Sequence, residues 1–153
     1  MMLRPRQALL VERSLAALAQ HGNTLSVGPT GSGKTIMLSA VAGRVLVEPD
    51  AKACILAHRT ELTGQNCAKF ERVNPGMSTS VFDANEKSWS GQATFAMVQT
   101  LSRLSHLEQM PTLDLLVIDE AHHSSSPSYR AVIDAVLARN PKAGICGLTA
   151  TPK

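Results

Sequence analysis

The chain has 153 residues, 44% of them hydrophobic and 18% charged, which excludes disordered and fibrous classes and leaves one globular α/β domain with a real core. A net charge of +3 permits contact with phosphates without requiring it, and an aromatic content of 3% argues against a platform for stacking bases. Glu12 and Arg13 interrupt the stretch a signal peptide would need, no apolar run reaches membrane-spanning length, and the expected location is the cytoplasm with no membrane partner.

Along the chain, apolar residues at helical spacing over 7–20 (Leu10, Leu15, Leu18) predict a helix, stopped by His21-Gly22-Asn23. A short strand follows at 25–27, then a helix beginning at Lys34 with Ile36, Met37, Ala40 and Val41 on one side. The apolar run ACILA, Ala53–Ala57, predicts a buried strand, and residues 61–73 a helix. Residues 78–82 and 93–98 predict strands, separated by a polar loop at 83–91 that carries an exposed Trp89. One helix is expected over 100–110, a strand over 115–118, a helix over 129–139 and a last strand over 144–148. Continuous apolar strands alternating with helices imply a mostly parallel sheet covered on both faces, in which ligands bind beyond the carboxyl ends of the strands. Cys54, Cys67 and Cys146 are widely spaced and match no metal-ligand pattern, so they read as small hydrophobes in a reducing compartment. Met97 and Met110 read as packing residues, His21, His106 and His123 as solvated or capping groups, and Ser124-Ser125-Ser126 as a turn.

Gly28-Pro29-Thr30-Gly31-Ser32-Gly33-Lys34-Thr35 matches GxxxxGK[ST] between an expected strand and an expected helix. Glycines let main-chain N–H groups turn inward around phosphates, and the helix start adds its positive dipole end. Lys34 would reach the β- and γ-phosphates, and the Thr35 hydroxyl a Mg²⁺ ion. A chance match in a chain of this length is roughly one in two hundred, and the strand-helix context lowers it further. The buried strand at 115–118 ends in Asp119-Glu120-Ala121-His122. A carboxylate at such a strand tip suits a magnesium site, with Asp119 holding the ion and Glu120 orienting or deprotonating the attacking water.

GPTGSGKT, DEAH and GLTATP occur in the order, and at roughly the separations, found in superfamily 2 helicases and translocases. LRPRQ, LAHRTEL with the following QN, and VQTLSR extend the match to nearly the whole chain. The sequence thus resembles the N-terminal RecA-like ATPase domain of DEAD/DEAH-type helicases, particularly the branch with the type III restriction subunit and RadD-like proteins. The resemblance implies a three-layer RecA-like P-loop fold and hydrolysis of ATP with Mg²⁺. It makes Gln7 the residue that reads adenine, with Arg6 standing where the family carries an aromatic residue. It implies that Thr149 and Thr151 relay the nucleotide state through His122, and that Arg59, Thr60, Gln99 and Thr100 touch a nucleic-acid backbone without reading bases. Thr60 and Thr100 also suit the caps of the helices they precede.

On this reading residues 1–153 are the first RecA-like domain of a DNA motor, or an RNA motor, and a second RecA-like domain, absent from this sequence, would complete the ATP cleft. Two other classes compete. A regulatory module that only senses nucleotide has no need of the carboxylate at Glu120, and a P-loop small-molecule kinase needs an arginine-rich lid that the sequence after Asp119 does not offer.

Overall fold

The computed structural model describes residues 5–21, 23–28, 32–58, 60–119 and 126–150. In chain order the elements are α1 (Pro5–His21), β1 (Asn23–Gly28), α2 (Ser32–Val45), β2 (Ala53–Ala57), α3 (Thr60–Val73), β3 (Thr79–Phe82), β4 (Ala93–Met97), α4 (Val98–Leu101), α5 (Leu104–Gln109), β5 (Leu115–Asp119), α6 (Pro127–Arg139) and β6 (Gly144–Ala150). Proline opens both α1 and α6, where its fixed φ suits the first turn and its missing N–H costs nothing.

The six strands form one sheet in the order β1-β6-β5-β2-β4-β3, and every ladder between them is parallel. The mostly parallel sheet expected from the sequence is therefore parallel throughout its strands. Central β2 and β5 are buried at every residue, as their unbroken apolar runs require. Edge strand β3 alternates between half-buried and buried residues. From β1 to β3 the chain moves across the sheet in one direction, and α2 and α3 pack together, with α1 beside α2. From β4 to β6 it moves back, and α4 packs against α6. A fixed crossover hand sends connections that travel in opposite directions to opposite faces, which makes the fold three-layered.

Each face has its own core. Under α1, α2 and α3 lie Val11, Met37, Leu38, Val41, Phe70 and Phe95, and under α4, α5 and α6 lie Leu101, Leu107, Met110, Tyr129, Val132 and Val136. Phe70 meets Phe95 edge-on, with ring centroids 5.4 Å apart.

Three expectations need correction. The helix expected over 100–110 is two short ones, α4 and α5, broken where Arg103 is extended at φ −67 and ψ 137. Leu101 and Leu107 are both buried, and six positions of a straight helix make about one and two-thirds turns, so an unbroken helix would expose one of them. His106 Nδ1 lies 2.6 Å from Thr100 O across the break, a capping contact of the kind expected for this histidine. Trp89 is half-buried rather than exposed, with its ring 5.2 Å from that of Phe82. Thr100 is no helix cap, because Met97 occupies that position and Thr100 lies inside α4, only 7% exposed. Met97 and Met110 pack as expected, half-buried and buried respectively. His21's side chain, His123, Ser124 and Ser125 lie outside the described residues, and Ser126 is extended at the cap position of α6.

Gly91 closes the loop that returns to β4. A Cβ there would lie 2.5 Å from the carbonyl carbon of Thr79 and 2.8 Å from its nitrogen, both backbone atoms of β3. Gly91→Ala is expected to destabilise the domain by about 1–3 kcal/mol, read as a lower urea midpoint at unchanged slope.

Cys54 and Cys146 are fully buried, which pushes each thiol up to about 12. Cys67 is half-buried; burial raises its thiol first, against a lowering hydrogen bond with Thr79, and Glu71 raises it further. A water-soluble thiol reagent is expected to titrate one cysteine, Cys67, in the native protein and all three after denaturation.

Candidate nucleotide and nucleic-acid site

Because every strand is parallel, every strand ends at the same edge, and that edge collects most of the residues singled out above. β1 ends at Gly28, and α2 begins at Ser32 with Gly33, Lys34 and Thr35 in its first turn. The N–H groups of a first turn have no partner within the helix and carry its positive dipole end, chemistry that suits an anion. Pro29, Thr30 and Gly31 lie outside the described residues, as do Arg59, Glu120, His122 and Thr151.

Register places the second half of the site. Gly28 pairs with Ala150 and Val27 with Thr149, while Asp119 pairs with Leu148. β6 therefore lies between β1 and β5, which sets the strand carrying Asp119 roughly 10 Å from the strand ending in Gly28. Thr149 sits on the strand between them. α1 packs on β1 and β6, and Leu18 near its end lies 3.2 Å from where a Cβ on Gly144 would be, at the start of β6. The opposite end of α1, with Gln7, is thereby carried towards the edge at which the strands end.

The helices next along the edge carry three of the residues named for backbone contact, Thr60, Gln99 and Thr100. Thr60 is the first residue of α3, which follows β2. Gln99 is exposed on α4, which follows β4 directly. Thr100 beside it is turned into the protein, so of that pair only Gln99 is presented to solvent.

Asp119 is 2% exposed, and its Oδ2 accepts a hydrogen bond from Asn66 Nδ2 at 3.3 Å. A buried carboxylate at a strand end, held on one oxygen by a neutral donor, fits a hard cation that prefers oxygen ligands. Asn66 is equally buried and belongs to α3. The sequence reading passed over it as a site residue. The signal was there: Thr63, Asn66 and Phe70 follow the i, i+3, i+7 spacing of one helix face, and all three are buried, so a polar amide occupies a core stripe.

No helix among the described residues is long and apolar enough to cross a membrane. The fold compares with solved helicase structures. The chain superposes on the Pyrococcus furiosus Hef helicase domain with a TM-score of 0.81 at 24% identity, covering 98% of this chain and 33% of that one. For the UvsW helicase of bacteriophage T4 the TM-score is 0.74 at 17% identity, over 97% of this chain and 52% of that one. In sequence the chain is similar to IRC3 of Saccharomyces cerevisiae, which bears the name of an ATP-dependent helicase, at 28% identity over 97% of this chain and 23% of that protein. It is 32% identical to irc3 of Schizosaccharomyces pombe, named as a mitochondrial ATP-dependent helicase, over 97% of this chain and 26% of that protein. The chain thus spans about a quarter of the length of these two relatives. The model of the type III restriction enzyme res subunit matches residues 1–153, and with the three-layer parallel fold and the motif-bearing sheet edge this places the chain in that family of helicase ATPase domains.

Proposed function

We propose that the chain is the ATP-binding domain of an ATP-dependent helicase or translocase that moves on DNA, or on RNA, and works with a second RecA-like domain. The observation that most supports this is the juxtaposition at one sheet edge of the β1–α2 junction, which bears the GxxxxGKT sequence, and the buried Asp119 two strands away. Main-chain N–H groups of the loop and of the first turn of α2 would hold the phosphates, with Lys34 on the β- and γ-oxygens. Thr35 and Asp119 would hold Mg²⁺, which when bound neutralises charge on those oxygens. Glu120, the residue after Asp119, would take the proton of the attacking water as its oxygen bonds to the γ-phosphorus. The bond from that phosphorus to the bridging oxygen breaks, and ADP and phosphate leave.

Gln7 would read the adenine edge, and His122, Thr149 and Thr151 would pass the nucleotide state to the strand-binding side. Arg59, Thr60 and Gln99 would meet phosphates of the nucleic acid, with binding independent of base sequence. Thr100, being buried, would support Gln99 from beneath rather than touch the strand. Three free thiols, two of them fully buried, suit a reducing cytoplasm.

Glu120→Gln tests the chemistry. ATP affinity should stay within a few-fold while turnover falls about a hundredfold or more, the scale of a lost general base. Unchanged turnover would remove Glu120 from that role. A second domain that supplies an arginine finger is worth ~10³ or more in rate, so the 153-residue polypeptide alone should hydrolyse ATP slowly and unwind no duplex. Brisk turnover stimulated by single-stranded DNA in this polypeptide would show that it needs no such partner.

A further inference from the structure

We infer that Asn66 is a positioning residue for the nucleotide site: its side-chain amide holds the Asp119 carboxylate in the orientation that receives the metal. The inference deepens the function proposed above and rests on it. A polar group lies on the apolar face of α3. On the inward face of α3, Thr63, Asn66 and Phe70 are each 2% exposed or less. Below that face lies an apolar layer that includes Phe95, Ile55 and Ala93. Burying an amide there costs free energy unless its donors are satisfied, so the position calls for either an apolar residue or a specific acceptor.

The acceptor is Asp119, 53 residues away in sequence and itself 2% exposed. A buried carboxylate is costly for the same reason, and a neutral donor on one oxygen stabilises its charge without competing as a cation would. The contact also restricts rotation of the carboxylate about its own axis, leaving its orientation tied to α3 rather than to β5 alone. Groups that hydrogen-bond a metal-ligating carboxylate in this manner typically govern metal affinity tenfold to a hundredfold. No such geometric constraint follows from the motif residues on β5 themselves.

The test is a double-mutant cycle read by Mg²⁺ affinity rather than by turnover. Mg²⁺ is titrated into protein mixed with a fluorescent, non-hydrolysable ATP analogue, for the unmodified chain, Asn66→Leu, Asp119→Asn and the double variant. Asn66→Leu keeps the branched shape and removes the donor, and should raise the Mg²⁺ concentration at half-saturation about tenfold. In the Asp119→Asn background the same change should shift it less than twofold. An equal shift in both backgrounds would show that Asn66 acts through general packing, and no shift in either would show that it does not act on the site; each result overturns the inference. If Asn66→Leu loses cooperative unfolding, Asn66→Ala takes its place in the cycle, with the same criteria. Failure of the unmodified chain to bind the analogue at any Mg²⁺ concentration would overturn the nucleotide-binding reading, and this inference with it.

Discussion

Lys34→Ala should lower ATP turnover by at least about a hundredfold and weaken ATP binding, without changing the thermal midpoint of the nucleotide-free protein. The size follows from position. Lys34 stands in the first turn of α2, at the edge where β1 ends and beside the strand pair that carries Thr149 and Asp119. On the function proposed above, a cation there would neutralise charge that grows on the γ-phosphate as its bond to the bridging oxygen lengthens. Removing one fixed group aimed at developing charge typically costs 10² to 10³ in rate. The stability half of the prediction follows from helix propensity, since alanine is at least as good a helix former as lysine in the first turn of α2. Equilibrium binding, steady-state kinetics and a melting curve check the three parts. Turnover within a few-fold of the unmodified protein would exclude phosphate binding at this loop.

The second large effect is on the fold. Phe95→Ala should cost about 3–5 kcal/mol, as large-to-alanine changes in a packed core do. Phe95 is fully buried in β4, paired with Ile55 on one side and Val81 on the other, and Phe70 of α3 packs edge-on against it. A cavity in place of this ring removes the seat of α3 on the sheet, next to edge strand β3. For a domain of this size such a loss lowers the melting midpoint by roughly 10 °C. The same substitution should also weaken Mg²⁺-dependent nucleotide binding in the folded protein, because α3 carries the Asn66 amide that reaches Asp119. A melting midpoint unchanged within about 2 °C would mean the core closes over the gap, contrary to the close packing around this ring.

Much of the architecture was legible because parallel sheets announce themselves in composition. A strand buried on both faces has no room for polar residues, so ACILA and LLVI stand out as unbroken apolar runs, and their alternation with amphipathic segments leaves few ways to fold. The break in the segment from Val98 to Gln109 was not legible, since each half has acceptable helical residues. What divides them is that Leu101 and Leu107 must face one core, a demand set by α6 and the sheet rather than by local preference. Trp89 sits in a polar stretch and gives no local sign that Phe82 shelters its ring. The N-cap expected at Thr100 failed for a similar reason. β4 runs into α4 without a loop, so the cap falls on Met97 and the threonine turns inward.

By itself the sequence determined the order of strands and most helices, the GxxxxGKT sequence at the first strand-helix junction and the acidic Asp119 that closes the fifth strand. These are local: each depends on residues within one turn or one strand of each other. Tertiary structure alone decided which strands are neighbours, and so that β6, the last strand in the chain, lies between β1 and the strand that carries Asp119. It also decided that an amide on α3 completes the surroundings of that carboxylate. Strand order and the partner of a buried polar group are set by which apolar faces close over one another, and no window of sequence contains both sides of such a contact.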